Sequence, residues 1–309
     1  MVYNTIYKVI IKLEETAHRK DEPSMPSLIL LAETGSDITP EIAARHGIRL
    51  VPMHVAFDTE TRDDGTFPPE EIRDYYRRTG KLPTTSGSTP EDFISAFDAI
   101  HAEHPDAHIL YMAYSAVTTC SYQSAVIAAE GRDYITMVDT QQVSVGQCAV
   151  VTAVAELLEK NPGMSVQEAA EAAKDFSARV QMGFLPDNLE FLRAGGRVSN
   201  AAYLGSRILS LHPCIEILNG KLMATKKYRG KMDKVALELV HDYVEKYKLE
   251  KDLLWLIYTI GMDPAILDAV EAEAKKLGFG EVRRVRANAV ITTHGGPAAF
   301  GIAGFKPAQ

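Results

Sequence analysis

Cysteine is scarce. The three present in 309 residues, Cys120, Cys148 and Cys214, are too few and too far apart for a disulfide framework, and none belongs to a Cys-x-x-Cys pair that would hold zinc or run redox chemistry. Such usage fits a reducing compartment, and a cytoplasmic protein is expected. Positive charge is also short. Lys and Arg number 33 against 41 Asp and Glu, a formal net charge of −8, and the basic residues are scattered. Nucleic acid is therefore not an expected partner, nor is an anionic membrane, and no apolar run is long enough for stable insertion into a bilayer. The nucleotide signatures are missing too: there is no Gly-x-x-x-x-Gly-Lys-Ser/Thr loop, no Gly-x-Gly-x-x-Gly after a strand, and no Gly-x-Ser-x-Gly elbow. Glu33, Asp37 and Asp139 fall near expected strand ends without making a recognisable magnesium motif, and the histidines are dispersed, so no metal and no cofactor is expected. Such a chain has no visible way to bind ATP by itself.

What is present is ordinary globular material, 46% hydrophobic and 24% charged, long enough for two domains. Residues 1–27 hold an apolar stretch, Ile6 to Leu13, broken by Lys8 and Lys12, and then the charged run Glu14 to Glu22. That is too broken for a signal sequence. It is expected to be an extension outside the fold, with Met25 a second possible start and an extra packed helix the competing interpretation. From 28 to 181, apolar strands alternate with capped helices: SLILLA at Ser27, a helix with Thr39 as cap, Pro40 first and Gly47 as stop, the strand Arg49–Phe57, helices opening at Pro69 and at Thr89–Pro90, strands His108–Tyr114 and Ile135–Asp139, the apolar helix Gly146 to Lys160, and the capping box Ser165-x-x-Glu168. This alternation predicts an N-terminal α/β domain of three layers around a parallel sheet, with ligands beyond the carboxyl ends of the strands. From 182 to 309 the pattern changes. A hairpin turns at Asn219–Gly220, helices run from Lys231 to Tyr247 and from Pro264 to Gly278, Leu253–Ile260 is a strand, and Glu281 to Phe300 resembles two strands in need of antiparallel partners. The second domain is expected to be α+β with an antiparallel sheet.

Four clusters could carry chemistry: Thr84 to Thr89, Ser115 to Ser124, Gly195 to Ser199, and Thr293 to Pro297. The first two are hydroxyl-rich and sit at expected strand-to-helix junctions. They either cap helices or, with free amides at helix N-termini, form an anion site that needs no cation. A buried carboxylate requires several such donors. His294 is a structural histidine or a site residue. Arg197 follows two glycines that allow close backbone approach, and makes either a surface ion pair or a ligand contact.

Taken in order, these segments resemble the DegV family of fatty-acid-binding proteins. The resemblance runs from Leu28 to Phe305 and rests on Ala32–Asp37 at the opening turn, Gly47–Pro52, Pro83–Ser86, Ser115–Ala125, Leu192–Arg197 and His294–Ala298. It implies a fatty acid held at the domain junction, its carboxylate bound by Thr84, Ser115, the Ala116 backbone N–H and His294, with Arg197 orienting the head group or meeting a partner. It implies also a tail in the second domain, for which Ile208, Leu209, Leu211, Ile215 and Ile217 are the expected walls. Some family members present the carboxylate to a separate fatty acid kinase, and the absent ATP site fits that division of labour, so catalysis is expected in the partner. Three departures stand out: Ala116 replaces a usual second serine, Cys120 replaces a glycine, and Glu33–Thr34–Gly35 replaces Asp-Ser-Thr. The competing function is a phosphotransfer-type enzyme or binding protein for a small phosphorylated or keto metabolite, for which His294 is the one candidate residue.

Overall fold

The computed structural model describes residues 27–196 and 211–308. The expected extension over 1–27, apart from Ser27, and Arg197, Ile208 and Leu209 lie outside the described residues.

Four parallel strands form the first sheet, in the order Arg49–Val51, Leu28–Glu33, His108–Ala113, Ile135–Asp139. Side chains alternate across it, as strand geometry requires. Leu31, Ile109 and Tyr111 pack on Phe93, Phe97 and Ala125 of the helices Pro90–Glu103 and Ser121–Ala128. Leu30, Leu110 and Met112 face the other way, onto the helices Ser144–Lys160 and Val166–Arg179. The local punctuation is as the sequence predicts. Thr39 accepts from the Ile42 amide ahead of Pro40, and Gly47 ends that helix in the left-handed region at φ 64. Thr89 with Asp92 and Ser165 with Glu168 close full capping boxes, each worth about 1 kcal/mol.

The expected strand Arg49–Phe57 is two strands. Pro52 brings no N–H to a ladder, and the chain changes sheets there. Arg49–Val51 stays in the parallel sheet, while His54–Phe57 pairs antiparallel with Glu60–Asp63 and with Thr84–Ser86 in a small second sheet.

The third sheet has six strands, in the order Lys221–Arg229, Leu211–Leu218, Val180–Leu185, Phe300–Phe305, Leu253–Tyr258, Glu281–Arg286. Every pair is antiparallel except the last, where Leu253–Tyr258 and Glu281–Arg286 run parallel, joined by the crossover helix Pro264–Lys276. The hairpin turn has Asn219 at φ 51 and Gly220 at φ 76, the two positive values of a type I′ turn. One expectation fails here. Of the two strands expected between Glu281 and Phe300, the second is the helix Ala289–Gly295. Val290, Ile291, Thr292 and Thr293 are β-branched and favour a strand locally. Burial of Ala289, Val290, Thr292 and Thr293 overrides that preference, and Thr293 Oγ1 donates back to the Ala289 carbonyl at 2.7 Å.

Strands before Asp139 and strands after Val180 belong to different sheets, yet the apolar core is continuous across that division. The helix Ser144–Lys160 is buried at every position from Ser144 to Thr152. Its residues Val145, Cys148 and Val151 pack in one cluster with Leu30 and Leu110 of the parallel sheet and with Met182, Trp255 and Ala303 of the six-stranded sheet. Gly146 permits this closeness, because a Cβ there would stand 3.2 Å from the Met182 Cβ.

A tight spot in the six-stranded sheet gives a direct test of this packing. A Cβ on Gly183 would meet the Tyr243 hydroxyl at 1.8 Å, and Tyr243 is itself buried. Gly183→Ala is expected to lose about 1–3 kcal/mol in denaturant titration. Gly163→Ala, with nothing within 4 Å, serves as the control. Equal stability of the two variants would contradict the packing described.

Candidate ligand-binding site

Beyond the carboxyl end of the parallel sheet, where it faces the six-stranded sheet, lies a cavity of about 800 Å³ counting its open mouth. One wall is apolar and comes mainly from the six-stranded sheet: Met182, Phe184, Leu222, Ile257 and Phe300, joined by Leu192. Another is rich in hydroxyls and comes from the first half of the chain, with Thr85, Ser86, Thr118 and Thr119. His294, in the last turn of the helix Ala289–Gly295, faces this second wall, and its Nε2 lies 2.7 Å from Thr85 Oγ1.

Close backbone approaches build this arrangement. A Cβ on Gly195 would meet His294 Nδ1 at 2.2 Å, so the first of the two sequence glycines brings the main chain against the imidazole. A Cβ on Gly87 would meet Thr119 Oγ1 at 2.2 Å and Ser121 Oγ at 2.6 Å, and the Ser88 amide donates to Ser121 Oγ at 3.0 Å. The two hydroxyl-rich segments are thus interlocked, with several hydroxyls engaged in holding one segment to the other.

Known proteins match this chain over most of its length. The family model described as "Uncharacterised protein, DegV family" matches residues 28–306. The chain belongs to the DegV family. A DegV family protein from Thermus thermophilus, described by its fatty acid binding, superposes with a TM-score of 0.81 at 28% identity over 91% of this chain and 100% of that one. A fatty acid-binding protein from Thermotoga maritima is 27% identical over 296 residues, 88% of this chain and 95% of its own length. The Streptococcus pneumoniae fatty acid kinase B3 protein loaded with linoleic acid shares the fold at a TM-score of 0.78 and 15% identity, over 91% of this chain and 100% of that one.

The geometry divides the expected site residues. His294 lines the cavity. Thr84 does not: it is exposed at the start of the strand Thr84–Ser86 and is absent from the cavity lining, to which Thr85 and Ser86 belong. Its neighbour Thr85 pairs with the buried Val55 across the ladder and turns toward His294. Ser115 is fully buried and its one O–H donates to the Gly220 carbonyl at 2.7 Å, so the hydroxyl ties the hairpin turn to this loop and has no second proton for a ligand. The Ala116 amide donates to Asp139 Oδ1 at 3.3 Å. Of the expected tail residues, Ile215 packs with Leu189 and Leu192, Ile217 belongs to the shared core, and Leu211 is half-buried at its strand's start; none of the three lines the cavity. The apolar wall that the sequence reasoning missed, Met182, Phe184, Ile257 and Phe300, lies on strands whose inward faces could be assigned only once their neighbours were known.

Below the hydroxyl wall, Glu33 is fully buried. Its carboxyl accepts from the Tyr111 hydroxyl, from the Tyr114 amide at 3.0 Å and from Gln147 Nε2 at 2.8 Å, and Tyr114 lines the cavity. Burial raises the Glu33 pKa above its ordinary 4.5, outweighing these hydrogen bonds, which lower it. The folded state therefore holds this proton more tightly than the unfolded chain. The stabilisation is complete below pH 4.5 and is lost as pH rises through the folded-state value. Glu33→Gln should flatten that fall. Denaturation midpoints measured between about pH 4.5 and 8 should converge toward the acid end if wild type and variant start apart. A wild-type midpoint that instead rises relative to the variant across this range would contradict the shift.

Proposed function

We propose that this chain binds a long-chain fatty acid, with its carboxylate at the Thr85–His294 pair and its tail along Met182, Phe184, Ile257 and Phe300, and that it presents the acid to a separate fatty acid kinase. The observation that carries this is the cavity itself, which joins a histidine–threonine pair and a hydroxyl-rich wall to an apolar wall. A monocarboxylate with a long hydrocarbon tail has these two requirements and no others. The related proteins from Thermus thermophilus and Thermotoga maritima, described by fatty acid binding, support the same ligand class.

The energetics agree. Burial gains about 0.8 kcal/mol per CH₂, so a tail of ~14–16 methylenes contributes roughly 12 kcal/mol before association costs. Direction and specificity come from the head group, since a carboxylate that loses water needs donors. With the His294 Nε2–H donating to Thr85 Oγ1, the Thr85 O–H is left to donate to the carboxylate, with Thr119 close by. Thr118 donates to the Ser115 carbonyl at 2.9 Å and acts by supporting the loop. In this account the chain is a binding subunit, catalysis belongs to the ATP-binding partner, and the setting is cytoplasmic. Among the described residues no helix is long and apolar enough to cross a membrane.

Thr85→Val keeps the shape and deletes the hydroxyl. Removing a donor to a charged acceptor costs about 1.5–3 kcal/mol, roughly 10- to 150-fold in affinity. Titration with palmitic acid should show that loss, while hexadecanol, which carries no charge, should bind nearly as to wild type. Equal losses for acid and alcohol would mean that Thr85 only packs, and the carboxylate would have to sit elsewhere.

A further inference from the structure

The helix that carries His294 is not capped by its own sequence. Asn288, at its N-cap, makes no side-chain cap bond. Its first amides go instead to two carboxyls of the first half of the chain, 251 and 226 residues earlier. Asn288 N–H donates to Asp37 Oδ1 at 2.8 Å, and Val290 N–H to Asp64 Oδ1 at 3.0 Å. Both acids are almost wholly buried and neither lines the cavity.

Each acid is itself held firmly. Asp37 follows the turn Thr34–Ser36 in the left-handed region at φ 58, and Ser144 Oγ donates to its Oδ2 at 2.5 Å. Ser144 is also left-handed, at φ 48, and it lines the cavity. Two bonded non-glycine residues in this conformation are a local cost of the kind found at functional sites. The Asp64 amide donates to the Met53 carbonyl at 2.8 Å. Burial pushes Asp37 up to about 8 and Asp64 to about 6. The hydrogen bonds from Ser144 and the helix amides pull them down, and the Asp64 charge pushes Asp37 further up.

We propose that Asp37 and Asp64 are positioning residues for His294, setting the register and tilt of the helix Ala289–Gly295 so that the imidazole meets Thr85. A seven-residue segment rich in β-branched residues cannot hold a helix alone. One residue of slippage turns a helical side chain by about 100°, which would take His294 away from Thr85. With amides fixed at one end and the Thr85–His294 bond at the other, the first half of the chain grips this helix at both ends. The inference rests on Thr85 and His294 being the head-group end of the site.

The test uses the full chain, with two readouts: the imidazole ¹H–¹⁵N signals of His294, assigned with His294→Gln, and titration with palmitic acid and hexadecanol. Asp64→Ala removes the Val290 acceptor and is expected to shift the His294 signals and to weaken palmitic acid about tenfold, the scale of leaving one buried amide without its acceptor, with a smaller effect on hexadecanol. Asp64→Asn keeps an acceptor without the charge, and should restore native signals and affinity to within about threefold, since the role is geometric. The inference is overturned if folded Asp64→Ala keeps native His294 signals, or if Asp64→Asn is displaced as far as Asp64→Ala. If Asp64→Ala does not fold, the His294 signals of Asp64→Asn against wild type decide. Wild type that binds no palmitic acid would sink the fatty-acid function, while the His294 signals would still judge the positioning.

Discussion

The helix Ser144–Lys160 has no solvent-facing side over its first nine residues, Ser144 to Thr152, and most of the architecture follows from that. A helix buried on every face must be covered on every face, its polar groups at Ser144 and Gln147 hydrogen-bonded inside. Here the parallel sheet covers one side and the six-stranded sheet the other, in one continuous core. The two halves are therefore not free bodies joined by a linker. Where the helix begins, the sheets can no longer be bridged by its side chains. The cavity lies there, with Val143 and Ser144 among its lining residues.

That location imposes a second constraint. Loops meeting at a buried junction must satisfy their polar groups internally, and most of the hydroxyls in the two Ser/Thr-rich segments do this work. Ser115 holds the hairpin turn, Thr118 its own loop, Ser88 the Pro52 carbonyl and Ser121 the Ser88 amide. Of these segments, Thr85, Ser86, Thr118 and Thr119 also line the cavity. The hydroxyl abundance that marks these segments in the sequence is thus largely structural, while Thr85 and His294 line the cavity as a hydrogen-bonded pair.

The sequence revealed whatever is decided locally. Caps at Thr39, Thr89 and Ser165, the Asn219–Gly220 turn and the alternating strands of the parallel sheet all depend on neighbours a few residues apart, and all were legible. So was the family, from short segments spread along the chain. Partners set by distant pairing were not legible. Thr84 and Thr85 are adjacent and chemically identical, and only the pairing with His54–Phe57 decides which one faces inward. The break at Pro52 looked like a strand interior because both flanks are apolar. The helix Ala289–Gly295 reads as a strand by composition, and burial overrides that preference, with remote carboxyls accepting from the Asn288 and Val290 amides. Ser115 matched the family's segment and Ala116 departed from it, but their hydrogen bonds to Gly220 and Asp139 could not be foreseen from either.

The central claim is that the cavity between the sheets holds a long-chain acid. Its most direct test is chemical. Protein purified without added lipid, extracted under denaturing conditions and analysed by mass spectrometry, should yield a long-chain fatty acid in near-stoichiometric amount, and native mass spectrometry should show the matching mass on the folded chain. Protein that carries no fatty acid and takes up none when it is offered, but retains a phosphorylated or keto metabolite, would contradict the account.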